Sequence, residues 1–403
     1  MKPAAMMIFL VVVITVLVLI HGYVGLRLIH TLKLAPPWGA VAWGFLATVV
    51  LLTPLPIILR YRGYENTLTD ILAALGYTSL GFFTILFFVL VVRDLLWLGL
   101  ALGGKALELA NSLRANTIAT EAFDPGRREF IVRLMNLGLV AATGLASAYG
   151  MVQARRRPTV FEVEIPIEGL HPDLEGFRIV QISDLHVGPT IKGGWVRQVV
   201  DQVNALKPDL IACTGDLADG SVRYLKEDVA PLADLRAPHG VYFCTGNHEY
   251  YSNLDDWLAE IKRLGMTALI NEHTVLEHGA GRILLAGVTD LHAHQTHPHH
   301  ATDPEAAVAG APQCDVRLLL AHQPGSIYAA ARLGFHLQLS GHTHGGQFFP
   351  FTYAVRATHP YTAGRHKHDG TWIYVNRGTG YWGPPLRIGV PSEVTVLRLV
   401  SSS

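Results

Sequence analysis

Four long stretches without a charged residue are the feature that most limits how this chain can fold. They cover Pro3–Leu26, Leu34–Leu59, Ile71–Val92 and Leu134–Ala154, and none contains Asp, Glu, Lys or Arg. A helix crosses the hydrocarbon core of a bilayer with about 20 mainly apolar residues, and lipid offers no partner to unpaired backbone groups. The sequence therefore predicts four transmembrane helices.

The first stretch also has one property of a cleavable signal peptide, because Lys2 precedes its apolar run. That run is long, its bulky residues continue to Leu28, and no small-x-small cleavage site follows, so a retained helix is the better interpretation. Arg93 and Asp94 end the third stretch as a neighbouring pair of opposite charges, which is more typical of an interface than of a transport path. We expect this half to anchor and position the rest.

The orientation of the helices rests on two opposing features. Arg127-Arg128, just before the fourth stretch, resembles a twin-arginine export signal. If this pair is cytoplasmic, eight Lys and Arg lie inside against six outside, and the positive-inside rule slightly favours an outside position for everything after Ala154. Arg155-Arg156-Arg157, directly after the last stretch, argues for the opposite orientation. The prediction is an extracytoplasmic C-terminal half.

Composition separates the two halves of the chain. Lys and Arg outnumber Asp and Glu by 11 to 7 through Leu134 and are outnumbered by 21 to 25 from Arg155 onward, which excludes the strong basic field of a nucleic-acid-binding protein. Three cysteines exclude a disulfide framework. Eighteen of the 20 histidines lie at or beyond His171. We therefore expect an anchor region over residues 1–154 and a histidine-rich domain over residues 155–403.

The second half alternates short β-branched runs with helical patterns after the alternating sequence that starts at Val160. Between the first two runs, apolar residues at helical spacing predict a crossover helix over Gly194–Leu206. The order strand, helix, strand favours parallel strands with helices on the faces of the sheet. The predicted strands are Arg178–Ile182, Leu210–Thr214, Val241–Thr245, Ile283–Val288, Val316–Ala321, Leu337–Ser340, Trp372–Asn376 and Val394–Val400.

Polar clusters follow five of these strands, at the edge where α/β sheets bind ligands. A single buried histidine most often satisfies a hydrogen bond in the core, but five clusters at successive strand ends indicate one shared site. Imidazole, carboxylate and amide oxygen without thiolate suit Mn, Fe, Zn or a similar divalent ion. The residues of the clusters are Asp184, His186, Asp216, Asn247, His248, His322, His342 and His344.

Together these clusters resemble the calcineurin-like metallophosphoesterase superfamily, over essentially all of residues 160–403. The motifs are Asp-x-His at 184, Gly-Asp at 215, Gly-Asn-His-Glu at 246, His322 and Gly-His-Thr-His at 341. The runs Gly-Asp-Leu-Ala-Asp-Gly, Ser-Gly-His-Thr-His-Gly-Gly-Gln and Val-Asn-Arg-Gly look like a membrane-anchored bacterial phosphodiesterase branch, which implies a bacterial inner or plasma membrane. One departure is His336, where this branch has an acidic residue. The resemblance implies an α/β fold, a four-layer α-β-β-α sandwich, preceded here by the four-helix transmembrane region.

The resemblance also implies two divalent metal ions and a role for each motif residue. Asp184, His186 and His344 would hold one ion, and Asn247, His322 and His342 the other, with Asp216 bridging them. A metal-activated hydroxide would attack phosphorus. His248 is the expected catalytic residue, which stabilises the transition state and protonates the leaving oxygen.

Several other residues admit two interpretations from sequence. Asp219 is expected either to orient a ligand or to be an ordinary loop residue or helix cap, and Arg377, beside Asn376, either to bind phosphate or to form a structural salt bridge. Glu249 could also orient a ligand, but a solvated loop acid is the favoured interpretation. The histidines of His292–His300 are interpreted as a solvated mobile loop rather than a metal trap. Five aromatic residues could line a site for a lipid tail, although core packing explains most such residues: Phe348, Phe349, Trp372, Tyr381 and Trp382.

The sequence as a whole predicts a membrane-anchored, binuclear-metal phosphoesterase. A phosphodiester substrate is favoured, either lipid-linked or a pyrophosphate, because an anchored enzyme meets membrane substrates at high effective concentration. Cleavage of a nucleotide-linked lipid A precursor would require a cytoplasmic domain. The alternatives are a phosphomonoesterase or nucleotide hydrolase with a purely localising anchor, and a non-catalytic sensor or scaffold with a relict site. The expected partners are the phosphoester substrate and the membrane, and no nucleic acid is expected.

Overall fold

A computed structural model describes residues 3–113 and 125–402 of the chain, so that Lys2 and Arg114 lie outside the described residues. Helices make up its first part, and four segments are long and apolar enough to cross a membrane: Leu10–Leu32, Trp38–Tyr61, Thr67–Asn111 and Glu129–Arg155. The prediction of four such helices is confirmed. The helices are α1 (Pro3–Leu32), α2 (Trp38–Leu52), α3 (Leu55–Tyr61), α4 (Thr67–Leu113) and α5 (Pro125–Arg155).

Charged residues tie the long helices together at one end. Asp94 of α4 pairs with Arg93 at 2.7 Å and with Arg27 of α1 at 2.6 Å, and it accepts a hydrogen bond from Tyr23 at 2.5 Å. Helix α4 continues past these charges to Leu113, beyond Val92, where the sequence predicted the third span to end.

A second charged group marks the other end of the spans. Arg60, at the end of α3, pairs with Glu65 at 3.4 Å and also with Asp70 in the first turn of α4. The apolar part of α4 therefore lies between Asp70 and Arg93.

The second part of the chain forms two six-stranded sheets, in the orders β1-β12-β2-β3-β4-β5 and β10-β11-β9-β8-β7-β6. The strands are β1 (Thr159–Ile167), β2 (Arg178–Ile182), β3 (Leu210–Cys213), β4 (Val241–Phe243), β5 (Thr267–Ala268), β6 (Glu272–His278), β7 (Gly281–Gly287), β8 (Val316–Leu320), β9 (Leu337–Ser340), β10 (Gly364–His368), β11 (Thr371–Val375) and β12 (Glu393–Ser401). The helices are α6 (Gly193–Ala205), α7 (Val222–Val229), α8 (Asn247–Tyr251), α9 (Leu254–Arg263), α10 (Pro304–Val308), α11 (Ile327–Arg332) and α12 (Phe351–Thr358).

The sheets pack against each other through a shared apolar core. Ile179 and Leu210 of the first sheet and Leu318 of the second are fully buried there. Helices α6, α7 and α9 cover the outer face of the first sheet, and α11 covers the outer face of the second. Helix, sheet, sheet and helix are the four predicted layers, and the predicted fold class is confirmed.

All eight predicted strands and the crossover helix are present, with ends that differ by one or two residues. Sequence reasoning missed β5, β6 and β10. Strand β10, Gly-Arg-His-Lys-His, lies at a sheet edge, where charged side chains are common. Strand β6 is the opposite edge, and only Leu276 within it is buried. Edge strands of this kind lack the apolar run by which buried strands are recognised.

Candidate metal centre

The five polar clusters meet at one place, because each follows the end of a strand in one of the two packed sheets. The loop after β2 carries Asp184 and His186, and the loop after β3 carries Asp216. His322 follows β8. The loop after β9 carries His342 and His344. Asn247 and His248 follow β4. The side chains of His248 and the other six residues supply three groups of ligand atoms, each within 4.8 Å: Asp184, His186 and His344; His186, Asp216 and His248; and Asp216, His322 and His342.

The first group lies on one side of Asp216. Nε2 of His186 is 3.0 Å from Nε2 of His344, which is 3.4 Å from Oδ1 of Asp184. Nε2 of His186 is also 3.8 Å from Oδ2 of Asp216.

The group of Asp216, His322 and His342 uses the same oxygen of Asp216. Oδ2 of Asp216 is 3.2 Å from Nε2 of His322, which is 3.2 Å from Nδ1 of His342. One carboxylate oxygen therefore stands between two sets of histidines. Imidazole nitrogens so close to one another and to a carboxylate form an arrangement that a bound cation stabilises.

Asn247 supplies an independent test of whether metal fits here. Its Oδ1 is buried and has no hydrogen-bond partner. An unpaired buried oxygen costs free energy unless some ligand satisfies it. Asn247 follows Gly246, and the N–H of His248 donates to Oδ1 of Asp216 at 2.9 Å, so the amide belongs to the same centre. An amide oxygen is a suitable ligand for a divalent ion, and the residues present fit a metal site.

The backbone at the ligand positions is strained. Five non-glycine residues have positive φ there, with values of +53° for Asp184, +49° for His186, +54° for Asp216, +70° for His342 and +50° for His344. Such a conformation costs about 1 kcal/mol or more for a non-glycine residue and persists where the surroundings impose it, as at binding sites.

Glycines let these strained loops approach one another. A Cβ at Gly215, whose φ is +84°, would lie 2.7 Å from Nδ1 of His322. A Cβ at Gly341 would overlap the Asp184 carboxylate. Any larger residue at these positions would displace ligands.

A second set of contacts orients the imidazoles. Oδ1 of Asp219 accepts from Nδ1 of His186 at 3.0 Å and from Nδ1 of His248 at 2.6 Å. Nδ1 of His322 donates to the carbonyl of Thr214 at 2.7 Å. Each of these bonds leaves Nε2 directed at the centre. Of the two interpretations of Asp219, the structure therefore favours ligand orientation.

Glu249 is buried, so the prediction of a solvated loop acid is wrong. Its side chain is buried, and its carboxylate accepts from the N–H groups of Gly246 at 2.7 Å, Leu217 at 2.8 Å and Asp216 at 3.1 Å. Burial and the neighbouring Asp216 raise the pKa of Glu249 to about 7. It joins the two loops that carry Asp216 and Asn247.

The protein groups alone give the histidines two different protonation states. Burial lowers the pKa of His342 to about 3 and that of His344 to about 4, so both imidazoles are neutral at pH 7 and able to bind metal. Burial also opposes the charged form of His248, but Asp216 and Asp219 outweigh it and raise its pKa to about 9. The His248 side chain is 15% exposed and can meet a ligand.

Arg387 is a residue of the site that sequence reasoning missed. Its guanidinium is buried and donates to the carbonyls of Arg377 at 2.7 Å, Gly378 at 3.1 Å and His344 at 3.3 Å. Its own N–H donates to the carbonyl of Gly150 in α5 at 3.0 Å. No local pattern distinguishes this arginine in sequence, because its partners lie seven or more residues away along the chain.

The remaining candidates lie outside the ligand groups. Arg377 pairs with Glu393 at 2.5 Å, which is the structural salt bridge of the two interpretations. Among the described residues, none of the histidines of His292–His300 belongs to a group with metal-binding geometry. Phe349 and Trp382 are exposed, whereas Phe348 and Tyr381 are buried.

Comparison with known proteins gives a consistent result. A family model described as calcineurin-like phosphoesterase matches residues 177–346. A zebrafish relative called "Transmembrane protein with metallophosphoesterase domain" is 36% identical over 337 residues, which are 81% of this chain and 74% of the relative. A cattle relative of the same name is 40% identical over 64% of this chain and 61% of its own length. An "Uncharacterized metallophosphoesterase" of Helicobacter pylori J99 is 36% identical over 69% and 74%. The relatives are therefore both bacterial and animal, so the similarity is not restricted to a bacterial branch.

Proposed function

We propose that this chain hydrolyses phosphoester bonds, and phosphodiesters in particular, at two divalent metal ions. The proposal proceeds from its family, because the chain belongs to the calcineurin-like phosphoesterases. Its four apolar helices integrate it into a membrane. The observation that carries the proposal is Oδ2 of Asp216, which belongs to two ligand groups at once.

The ligand groups suggest how two ions would be held. Asp184, His186 and His344 would bind one, Asn247, His322 and His342 the other, and Asp216 both. The nitrogen and oxygen donors suit Mn, Fe or Zn. Bound ions of this kind neutralise phosphoryl oxygens and lower the pKa of a bound water.

The protein residue that completes the reaction is His248. Its Nδ1 is held by Asp219 at 2.6 Å, while its Nε2 is 3.9 Å from Oδ2 of Asp216, at the edge of the centre. In the protein alone these aspartates raise its pKa to about 9, against the effect of burial, so that the ring carries a proton at pH 7. We assign it the transfer of that proton to the leaving alkoxide oxygen.

The charges around the centre favour a diester over a monoester. A diester carries one negative charge, whereas a monoester carries nearly two at pH 7 and gains from additional cations. Two arginines beside the centre are already engaged, Arg377 with Glu393 and Arg387 with backbone carbonyls. A substrate with a single charge fits this arrangement better.

The direct test is hydrolysis by the full chain in detergent. We expect Mn²⁺-dependent cleavage of bis-p-nitrophenyl phosphate, slower cleavage of p-nitrophenyl phosphate, and loss of both activities in Asp216→Asn. A preference for the monoester would contradict the diesterase assignment. Absence of cleavage in a protein loaded with two metal ions would contradict the enzymatic function and favour a sensor.

We also propose that residues 1–154 form the anchor and that residues 155–403 form a catalytic domain outside the cytoplasm. The twin-arginine pair in the first turn of α5 and the slight excess of basic residues at that end of the spans support this orientation. Alkaline phosphatase fused after Ser403 should be active in a bacterial host, and green fluorescent protein fused there should be dark. The opposite result would place the domain in the cytoplasm.

A further inference from the structure

An exposed aromatic surface borders the metal centre. It consists of Phe349, Phe351, Tyr353 and Trp382, which are 55%, 43%, 63% and 51% exposed. The rings of Trp382 and His248 are 5.9 Å apart, so the surface adjoins the catalytic residue. Clustered exposed aromatic side chains are typical of surfaces that bind another apolar body.

The same segments pack against the transmembrane helices. Phe348 and Leu386 form a buried cluster with Ile85 of α4. A Cβ at Gly81 of α4 would overlap Leu386, and a Cβ at Gly150 of α5 would lie 2.8 Å from Cγ1 of Ile388. Two glycines in the spans thus admit a loop of the catalytic domain.

The depth of this contact follows from helix geometry. Gly81 is eleven residues after Asp70 and twelve before Arg93, which at 1.5 Å per residue is about 17 Å from either charge. Gly150 is five residues before Arg155, or about 8 Å along α5. Since the hydrocarbon core is about 30 Å thick, Gly150 lies within the leaflet on the domain's side and Gly81 lies near the middle of the bilayer.

Most side-chain polar groups of these segments bond within the protein, as an apolar environment favours, although Nε of Arg387 has no partner. Arg387 donates to three carbonyls of the loop, those of Arg377, Gly378 and Gly380. Gln347 donates to the carbonyls of Trp382 at 3.0 Å and Pro384 at 2.8 Å, and it accepts from the N–H of Trp382 at 2.9 Å. Such bonds reduce the need for water at the loop.

We infer that the catalytic domain is partly immersed in the leaflet on its side of the membrane, with the aromatic surface in contact with acyl chains. The metal centre then opens at the level of the lipid headgroups. Its substrate is an amphiphile whose phosphodiester enters from the leaflet while its chains remain among the lipids. The statement about the substrate rests on the proposed function, whereas the immersion does not.

Spin-label accessibility in phosphatidylcholine nanodiscs tests the immersion without any need for activity. Nitroxides are placed at Tyr353→Cys and, as a matched control on α11, at Tyr328→Cys, which is 49% exposed. Both variants carry Cys314→Ser, since the other two cysteines are buried. We expect the label at 353 to collide mainly with oxygen and the label at 328 mainly with a water-soluble nickel chelate.

Two outcomes would overturn the immersion. Equal nickel accessibility at both positions would show that the aromatic surface is in water. Protection from both reagents at 353, with spin–spin broadening, would show that a second copy of the chain covers it.

A kinetic comparison tests the substrate route. In the double variant Phe349→Gln, Tyr353→Gln, we expect the KM for hexadecyl p-nitrophenyl phosphate in nanodiscs to rise about fivefold, because apolar contact with the leaflet is lost. The kcat/KM for soluble bis-p-nitrophenyl phosphate should stay unchanged. An equal loss on both substrates would contradict the lateral route. Inactivity of the wild type on both would contradict the proposed function, while the label result would still decide the immersion.

Discussion

At the scale of single residues, the site depends on side chains that would be costly without a ligand. Asp184 and Asp216 are buried, and although burial opposes their ionisation, nearby histidines hold the pKa of Asp216 well below its ordinary value. Asn247 adds a buried oxygen without a partner. Residues of this kind are retained where a bound cation repays the cost.

His248→Ala should keep both metal ions and lose about 10²–10³ in kcat, because a positioned general acid contributes about that factor. The KM should change little, since the proposed metal ions would bind the phosphoryl group. Metal content and steady-state kinetics measured on the same preparation check this. A metal-replete variant with unchanged kcat would remove His248 from the mechanism.

Asn247→Ala should lower the bound metal from two ions to about one per chain, because a ligand oxygen of one proposed site is lost. Elemental analysis after dialysis measures the content. Asn253→Ala, on an exposed side chain that bonds to Asp256, serves as the control and should keep two ions. If both variants kept two ions, Asn247 would not be a ligand.

At the scale of elements, the turn between α3 and α4 supports the loop that carries Asp216 and Asp219. Arg60 donates to the carbonyl of Asp219 at 3.0 Å, and Glu65 accepts from the N–H of Ser221 at 3.0 Å. A Cβ at Gly220 would lie 2.6 Å from Glu65 and 2.9 Å from Arg60. The anchor therefore contacts the segment that orients two imidazoles.

Arg60→Ala should reduce kcat/KM by about tenfold, the scale of losing a residue that supports metal ligands. Metal affinity should weaken as well, because Asp219 holds both His186 and His248, and Arg60→Lys should restore part of it. Arg62→Ala, two residues on and exposed, is the control. Equal effects of the Arg60 and Arg62 substitutions would point to a general effect of charge at the membrane.

At the scale of the whole molecule, the domain and the helices are joined by a close apolar fit as well as by charges. Leu386 lies against α4 at Gly81 and against α5 at Gly150. Arg387, the next residue, bonds both to α5 and to the carbonyl of His344. The arrangement of the spans is thereby connected to a proposed metal ligand.

Gly81→Val should destabilise this junction by about 1–3 kcal/mol, the usual cost of overpacking, and should lower the melting temperature in detergent. Gly99→Val in the same helix is the control, because a Cβ there meets nothing within 4 Å. Comparison of the two melting temperatures isolates the contact with Leu386. If they were equal, the domain would not be seated against α4 as described.

Much of the fold was predictable because it depends on local patterns in the sequence. Charge-free runs of more than 20 residues identify the spans, and β-branched runs followed by glycine and polar residues identify the strands and the ligands at their ends. Strands β6 and β10 were not predicted from the sequence because edge strands carry charged residues. The extension of α4 past Arg93 was missed because the sequence alone does not show that Asp94 pairs with Arg27, a distant residue.

What the sequence by itself determined is therefore the set of elements and the residues at their ends, since these depend on neighbours along the chain. Only the tertiary structure decided that Glu249 is buried, that Asp219 serves two histidines, and that Arg387 bonds to His344. It also decided how the catalytic domain rests on the spans. Each of these contacts joins residues from separate segments, and no periodicity or local motif records which segments meet.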